Sequence, residues 1–114
     1  MTDLEITKLC AEAMKFSGEL QENVAIDVRT QKREIHLLFD GIVGLRYNPL
    51  EDDEQAMALV KKFGLHLGRE DMGYWIVEMF SWKRGLWMEV AHSKNLNRAI
   101  CECVAKMQAG RSNR

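Results

Sequence analysis

Histidine and carboxylate side chains are the first candidates for chemistry in this chain. Its three histidines, His36, His66 and His92, lie far apart, and none forms the short metal-binding spacing of a His-Glu-x-x-His helix. Glu78 and Glu89 fall at neighbouring positions of a predicted hairpin, where two carboxylates could form an acid–base pair or simply occupy an exposed sheet face. The sequence also lacks a phosphate-binding loop, a dinucleotide motif and a nucleophile elbow. We therefore expect no catalytic residues, no metal site and no cofactor, and hence a protein that is not an enzyme.

The cysteines favour a packing role. Cys10, Cys101 and Cys103 are an odd number of thiols, which suits a reducing compartment. Cys101 and Cys103 are two positions apart on a predicted helix, so their side chains diverge by about 200° and cannot share a metal ion. We expect all three to be small buried residues, with Cys101 the most exposed of them.

The tip of the last predicted hairpin is the segment that folding alone explains least. Trp82 lies there beside two cations, Lys83 and Arg84, between Ser81 and Gly85. Tryptophan and arginine dominate interface hot spots, so these three residues are candidates for binding a partner. An aromatic ring beside cations also suits a nucleotide. The structural alternative is that Trp82 folds back over Trp75 or Trp87 as a cross-strand pair.

Hydrophobic periodicity predicts the elements that position these residues. Thr2 and Glu5 form a capping box for a first helix, and Asp52 and Gly64 bound a second. Strands are predicted at residues 24–28, 34–39, 42–45, 65–67, 74–80 and 86–91, and residues 19–23 are predicted to be a loop. A third helix over residues 95–107 carries an apolar stripe at helical spacing: Leu96, Ala99, Ile100, Cys103, Val104 and Met107.

The resulting order, α-β-β-(β)-α-β-β-β-α, predicts an α+β domain. We expect one antiparallel sheet of about five to six strands packed with three helices, in a single domain over residues 1–114. No apolar run approaches the roughly 20 residues that span a bilayer, and the acidic start of the chain lacks the order of a secretory signal. These features predict a cytoplasmic protein without a membrane partner.

The net charge of −1 conceals an asymmetry between the two halves of the chain. Residues 1–57 contain 12 acidic and 6 basic residues, whereas residues 58–114 contain 5 acidic and 10 basic ones. The halves could attract each other within one fold or across a homodimer. Alternatively, the basic half could present a face to an acidic partner or a nucleic acid.

Taken together, six short segments resemble a family of small tailed-phage accessory proteins, the phage α-β-α sandwich domains related to NinX-like proteins. The segments are residues 9–14, residues 47–50, Asp53 with Ala56, residues 63–64, Trp75 and residues 96–101. The resemblance implies a phage or prophage origin in a bacterial cytoplasm, with no established activity or site residues. We therefore expect a non-catalytic accessory protein that binds a host or phage protein, for example to redirect host functions or defences.

Residues 47–109 also resemble a double-stranded-RNA-binding domain in their order of helix, three strands and helix. The start of the last helix falls where that family carries lysines that grip phosphates, and Lys94 and Arg98 could serve this purpose. Asn95 and Asn97 are neutral where the family has further lysines, and fewer cations neutralise fewer phosphates. Nucleic acid is thus the alternative partner.

Overall fold

The structure is a computed structural model that describes residues 1–15, 19–26, 33–39 and 42–112. In this part of the chain three helices alternate with two groups of three strands. Their bounds are α1 Asp3–Ala13, β1 Glu19–Ile26, β2 Arg33–Phe39, β3 Ile42–Arg46, α2 Asp53–Phe63, β4 His66–Arg69, β5 Trp75–Ser81, β6 Leu86–Ser93 and α3 Leu96–Ser112.

The protein is α+β, as the sequence predicts, with three helices and antiparallel sheets. The described strands form two sheets, ordered β1-β2-β3 and β4-β5-β6, instead of one sheet of five to six strands. Each sheet pairs strands that are consecutive in the sequence. Such pairing closes only short loops, whereas joining β3 to β4 would have to bridge all of α2.

The predicted start of α1 and both predicted ends of α2 rest on local chemistry and are confirmed, whereas α3 extends to Ser112, beyond its predicted end at residue 107. The Thr2 hydroxyl accepts a hydrogen bond from the Glu5 amide, and the Glu5 carboxylate accepts one from the Thr2 amide. At α2 the Asp52 carboxylate accepts from the Gln55 amide at 3.0 Å. Gly64 ends α2 with a φ of 61°, a left-handed conformation that glycine adopts without steric cost.

The first sheet departs from its prediction. Residues 19–23, predicted to be a loop, form the first part of β1. The sequence does not predict a strand there because four of these five residues, Glu-Leu-Gln-Glu-Asn, are polar, so apolar and polar side chains do not alternate. The sequence predicts a hairpin with Val24, Ile26 and Val28 lying over Ile35, Leu37 and Phe39. The β1–β2 register instead pairs Leu20 with Leu37 and Ile26 with Arg33.

The sequence predicts an end of the first helix near residues 17–18, but α1 ends at Ala13 and Met14 caps it. The predicted strand end at residues 27–28 and the turns that the sequence predicts at residues 30–33 and 40–41 lie wholly or partly outside the described residues.

The last helix is buried on more than its predicted stripe. It packs against α1, α2, β5 and β6. The stripe residues Ala99, Ile100, Cys103 and Val104 are fully buried, but so are Cys101 and Ala105, which project from other faces of the helix. The prediction that Cys101 is the most exposed thiol is wrong.

The reason is that α1 covers the second face of α3. The Cys10 thiol donates to the Cys101 carbonyl oxygen at 3.4 Å, so the two helix backbones approach closely. The facing α1 residues Cys10, Ala11 and Ala13 are all buried and small. α3 is therefore the central element of the core, and it supports β5 and β6 from behind.

Candidate partner-binding surface

A tight turn between β5 and β6 presents Trp82 to solvent. The Gly85 amide donates to the Ser81 carbonyl at 2.7 Å, and Gly85 has a φ of 67°. The Arg84 amide donates to the Ser81 hydroxyl at 3.3 Å, which fixes the turn from inside. The Trp82 side chain is 89% exposed, so the interpretation that it packs into the fold does not apply. Lys83 and Arg84, here called the cationic turn, are exposed beside it.

Trp82 belongs to a larger apolar group at this end of the hairpin. The Phe80 ring lies edge-on to Trp82 at 4.8 Å between centroids and edge-on to Trp87 at 5.5 Å. Trp87 is 47% exposed and Leu86 is 48% exposed. We call Phe80, Trp82 and Trp87 the aromatic end; Leu86 pairs with Ser81 and therefore lies on the other face of the hairpin. The Phe80 ring is half-buried between the two tryptophans, which keep much of their own surface in water.

The ring contacts lie on the side of the β4–β6 sheet that faces away from the helices. Val77 is fully buried and pairs with the buried Ala91, which identifies the core face of β5. Because side chains alternate along a strand, Phe80 lies on the opposite face. Phe80 also pairs with Trp87 across the hairpin. The β5–β6 hairpin therefore presents Phe80 and Trp87 on the face opposite the one that packs on α3.

Two facing carboxylates adjoin the aromatic end on the same face. Glu78 pairs with Glu89, as the sequence predicts, and we call them the carboxylate pair. Like charges directly opposite each other destabilise a sheet. His66 on β4 partly offsets this repulsion, because its Nδ1 lies 3.3 Å from Glu78 Oε1 and its ring lies 5.6 Å from Trp87.

The histidines do not converge on one site. His92 Nε2 lies 3.5 Å from Glu70 Oε2, and the His92 and Tyr74 ring centroids are 4.5 Å apart with the rings tilted. These contacts are on a different part of the sheet from His66. His36 lies on β2, and its side chain is outside the described part of the structure. Two histidines with Glu78 or Glu89 in one cleft would indicate acid–base chemistry. The two histidines whose side chains are described, His66 and His92, do not form such a cleft.

Arg98 and Lys94, the two candidates for binding nucleic acid, have different surroundings. Arg98 Nη1 donates to Asp3 at 2.7 Å, and its Nε donates to Glu102 at 2.9 Å. The hydrogen bond to Asp3 raises the pKa of Arg98, so the guanidinium stays charged but is matched by two carboxylates. Lys94 is exposed, with its ammonium 5.3 Å from the Tyr74 ring centroid. A phosphate at this helix start would have to compete with Asp3 and Glu102 for Arg98.

A shallow groove of about 460 Å³ borders Lys94, but its chemistry is mixed. It is lined by Asp53, Met57, Lys94, Asn95, Leu96 and Asn97. The Asn97 amide donates to the Asp53 carboxylate at 2.8 Å, which joins the starts of α2 and α3. A carboxylate in the wall repels phosphate, so this groove does not extend a cationic surface around Lys94.

A metal site and a membrane-spanning helix each have requirements that the described residues do not meet. Within them, no three histidine, cysteine or acidic side chains cluster in a way that could hold a metal ion. No helix among them has the length and apolarity that crossing a membrane requires. Comparison of the chain with protein-family models, curated proteins and solved structures gives no match.

Sequence reasoning found the centre of this surface but not its extent. Trp82 and the cationic turn were identified from their residue types. The sequence suggests Trp87 only as a packing partner of Trp82, although the register of a hairpin with a tight turn places Trp87 opposite Phe80. The exposure of Trp87 cannot be predicted from neighbouring residues in the sequence, because it depends on which face of the sheet the helices cover.

Proposed function

We propose that this protein is a non-catalytic binding protein that contacts a host or phage protein through the aromatic end and the cationic turn. The observation that carries the proposal is the 89% exposure of Trp82 on a turn that is itself held by two hydrogen bonds. Leaving so much aromatic surface in water is unfavourable by about 25 cal/mol per Å². A partner that covers the ring recovers that free energy.

The form of the surface supports protein binding. Tryptophan and arginine at the centre of a patch, with polar groups around it, are typical of interface hot spots. The edge-on contact with Phe80 restricts the Trp82 ring before binding. Little conformational entropy is then lost on association, which favours affinity. The phage or prophage origin, and with it a role in redirecting host functions, remains part of the proposal and rests on the segment resemblance alone.

Nucleic acid fits this surface less well than protein does. The carboxylate pair lies next to the aromatic rings, where a nucleic-acid backbone that tracked across the sheet would meet two negative charges. Arg98 is occupied by Asp3 and Glu102. A titration against double-stranded RNA at low and moderate salt tests this alternative. Binding that weakens steeply with salt and falls in Lys94→Ala would favour it over the protein-binding proposal.

The proposal is tested by affinity capture from bacterial cells that express the tagged protein. Wild type is compared with Trp82→Ala and with a matched control, Met72→Ala, which removes an 80% exposed apolar side chain from the β4–β5 turn instead. We expect a discrete partner to be retained by wild type and by Met72→Ala and lost by Trp82→Ala. Equal recovery by all three proteins would contradict the proposal. Turnover of a metabolite that a single carboxylate substitution abolishes would also contradict it.

A further inference from the structure

The β5–β6 hairpin carries opposite charges on the two sides of its aromatic centre along the strands. The carboxylate pair lies two residues from the Phe80–Trp87 pair along each strand, and the cationic turn begins just beyond the other side. At about 3.4 Å per residue, the carboxylates are about 7 Å from the aromatic pair, and Lys83 and Arg84, three residues from Phe80 and Trp87, are at most about 10 Å beyond its other side. The charges balance, with two glutamates against one lysine and one arginine.

A surface with this pattern is complementary to itself under a two-fold rotation. If the axis passes through the Phe80–Trp87 pair, rotation superimposes the cationic turn of one copy on the carboxylate pair of the other. The aromatic rings of the two copies then face each other at the centre. A patch of a single sign could not satisfy such an isologous contact, because the same residues meet across the axis.

We propose that the aromatic end binds a second copy of this chain, forming a two-fold homodimer. This inference rests on the proposed function, since it names an occupant for the same surface. The second copy supplies cations to two carboxylates that otherwise repel each other across the hairpin, where His66 lies close to Glu78. Each ion-pair contact occurs twice, as does the burial of Trp82. Binding of another protein at this surface then competes with self-association.

Complementary charge reversal tests the proposal on the purified full chain. Sedimentation equilibrium is measured for wild type, for Lys83→Glu/Arg84→Glu, for Glu78→Lys/Glu89→Lys, and for an equimolar mixture of the two variants. We expect wild type to dimerise and each variant alone to dissociate at least about tenfold more readily, because like charges now meet across the axis. The mixture should recover the dimer as a heterodimer.

Two further variants separate the contact from effects of fold and net charge. Lys8→Glu/Lys61→Glu changes the net charge by the same amount as the reversed turn, at exposed positions on α1 and α2, and should dimerise like wild type. Trp82→Ala should be monomeric, and it tests the contact even if the reversed carboxylate variant fails to fold by circular dichroism.

The outcomes distinguish this inference from the proposed function. A wild type that is monomeric up to about 100 μM, charge-reversed variants that dimerise normally, or folded variants whose mixture stays monomeric would each overturn the homodimer. If one of these results overturns the homodimer but Trp82→Ala still fails to retain a cellular partner, the proposed binding function stands. Only the second copy as occupant of this surface is then excluded. If Trp82→Ala affects neither association, both proposals fail.

Discussion

Replacing Trp82 with alanine should leave the fold nearly as stable as before, which separates a presented side chain from a structural one. A fully buried tryptophan covers roughly 150–250 Å², so a ring that is 89% exposed loses only about 0.5 kcal/mol of burial on truncation. Its edge-on contact with Phe80 adds about 0.5–1.5 kcal/mol. We therefore expect the free energy of unfolding to fall by no more than about 2 kcal/mol.

Ile100→Ala should instead cause a large loss in the free energy of unfolding, measured in the same way. Ile100 is fully buried in α3, and truncation of such a side chain costs about 2–5 kcal/mol because it also leaves a cavity. Urea unfolding followed by far-ultraviolet circular dichroism measures both variants without relying on tryptophan fluorescence. A loss above about 3 kcal/mol in Trp82→Ala would refute the reasoning, since it would mean that the ring supports the core.

Two further predictions concern residues away from the hairpin tip. Arg98→Ala should lower the free energy of unfolding by about 1 kcal/mol, and the loss should shrink in about 1 M salt, because partly exposed pairs with Asp3 and Glu102 are screened; a loss independent of salt in urea unfolding would contradict the ion-pair account. Burial raises the pKa of Cys103 to about 12, so this thiol favours the folded state below pH 9 and loses that contribution as the pH rises towards 12. Between pH 8 and pH 10 wild type should lose about 1 kcal/mol more than Cys103→Ala, and equal losses in the two proteins would contradict the assignment.

Features fixed by neighbouring residues were predictable from the sequence. The first-turn caps of α1 and α2 depend on Thr2 with Glu5 and on Asp52 with Gln55, each three residues apart, and Gly64 ends α2 through its own left-handed conformation. The pairing of Glu78 with Glu89 follows from the short turn between β5 and β6. In these cases a few contiguous residues contain the whole physical cause.

Features that depend on distant packing were not predictable in the same way. The burial of Cys101 requires α1, whose Cys10 lies 91 residues earlier. The loss of Arg98 as a candidate phosphate ligand requires Asp3, 95 residues away. The exposure of Trp82 was one of two alternatives compatible with its position, because a ring at a hairpin tip can contact either strand or neither. Local pattern gives no information about such choices.

The central claim is that Trp82 contacts a partner protein, and the affinity of the captured partner for Trp82→Ala tests it most directly. With that partner purified, isothermal titration calorimetry gives dissociation constants for wild type, Trp82→Ala and Met72→Ala. Truncation of a tryptophan hot spot costs about 2–4 kcal/mol, so the account predicts at least about 30-fold weaker binding by Trp82→Ala. The account also predicts wild-type binding by Met72→Ala. A change of less than about threefold in Trp82→Ala would contradict it.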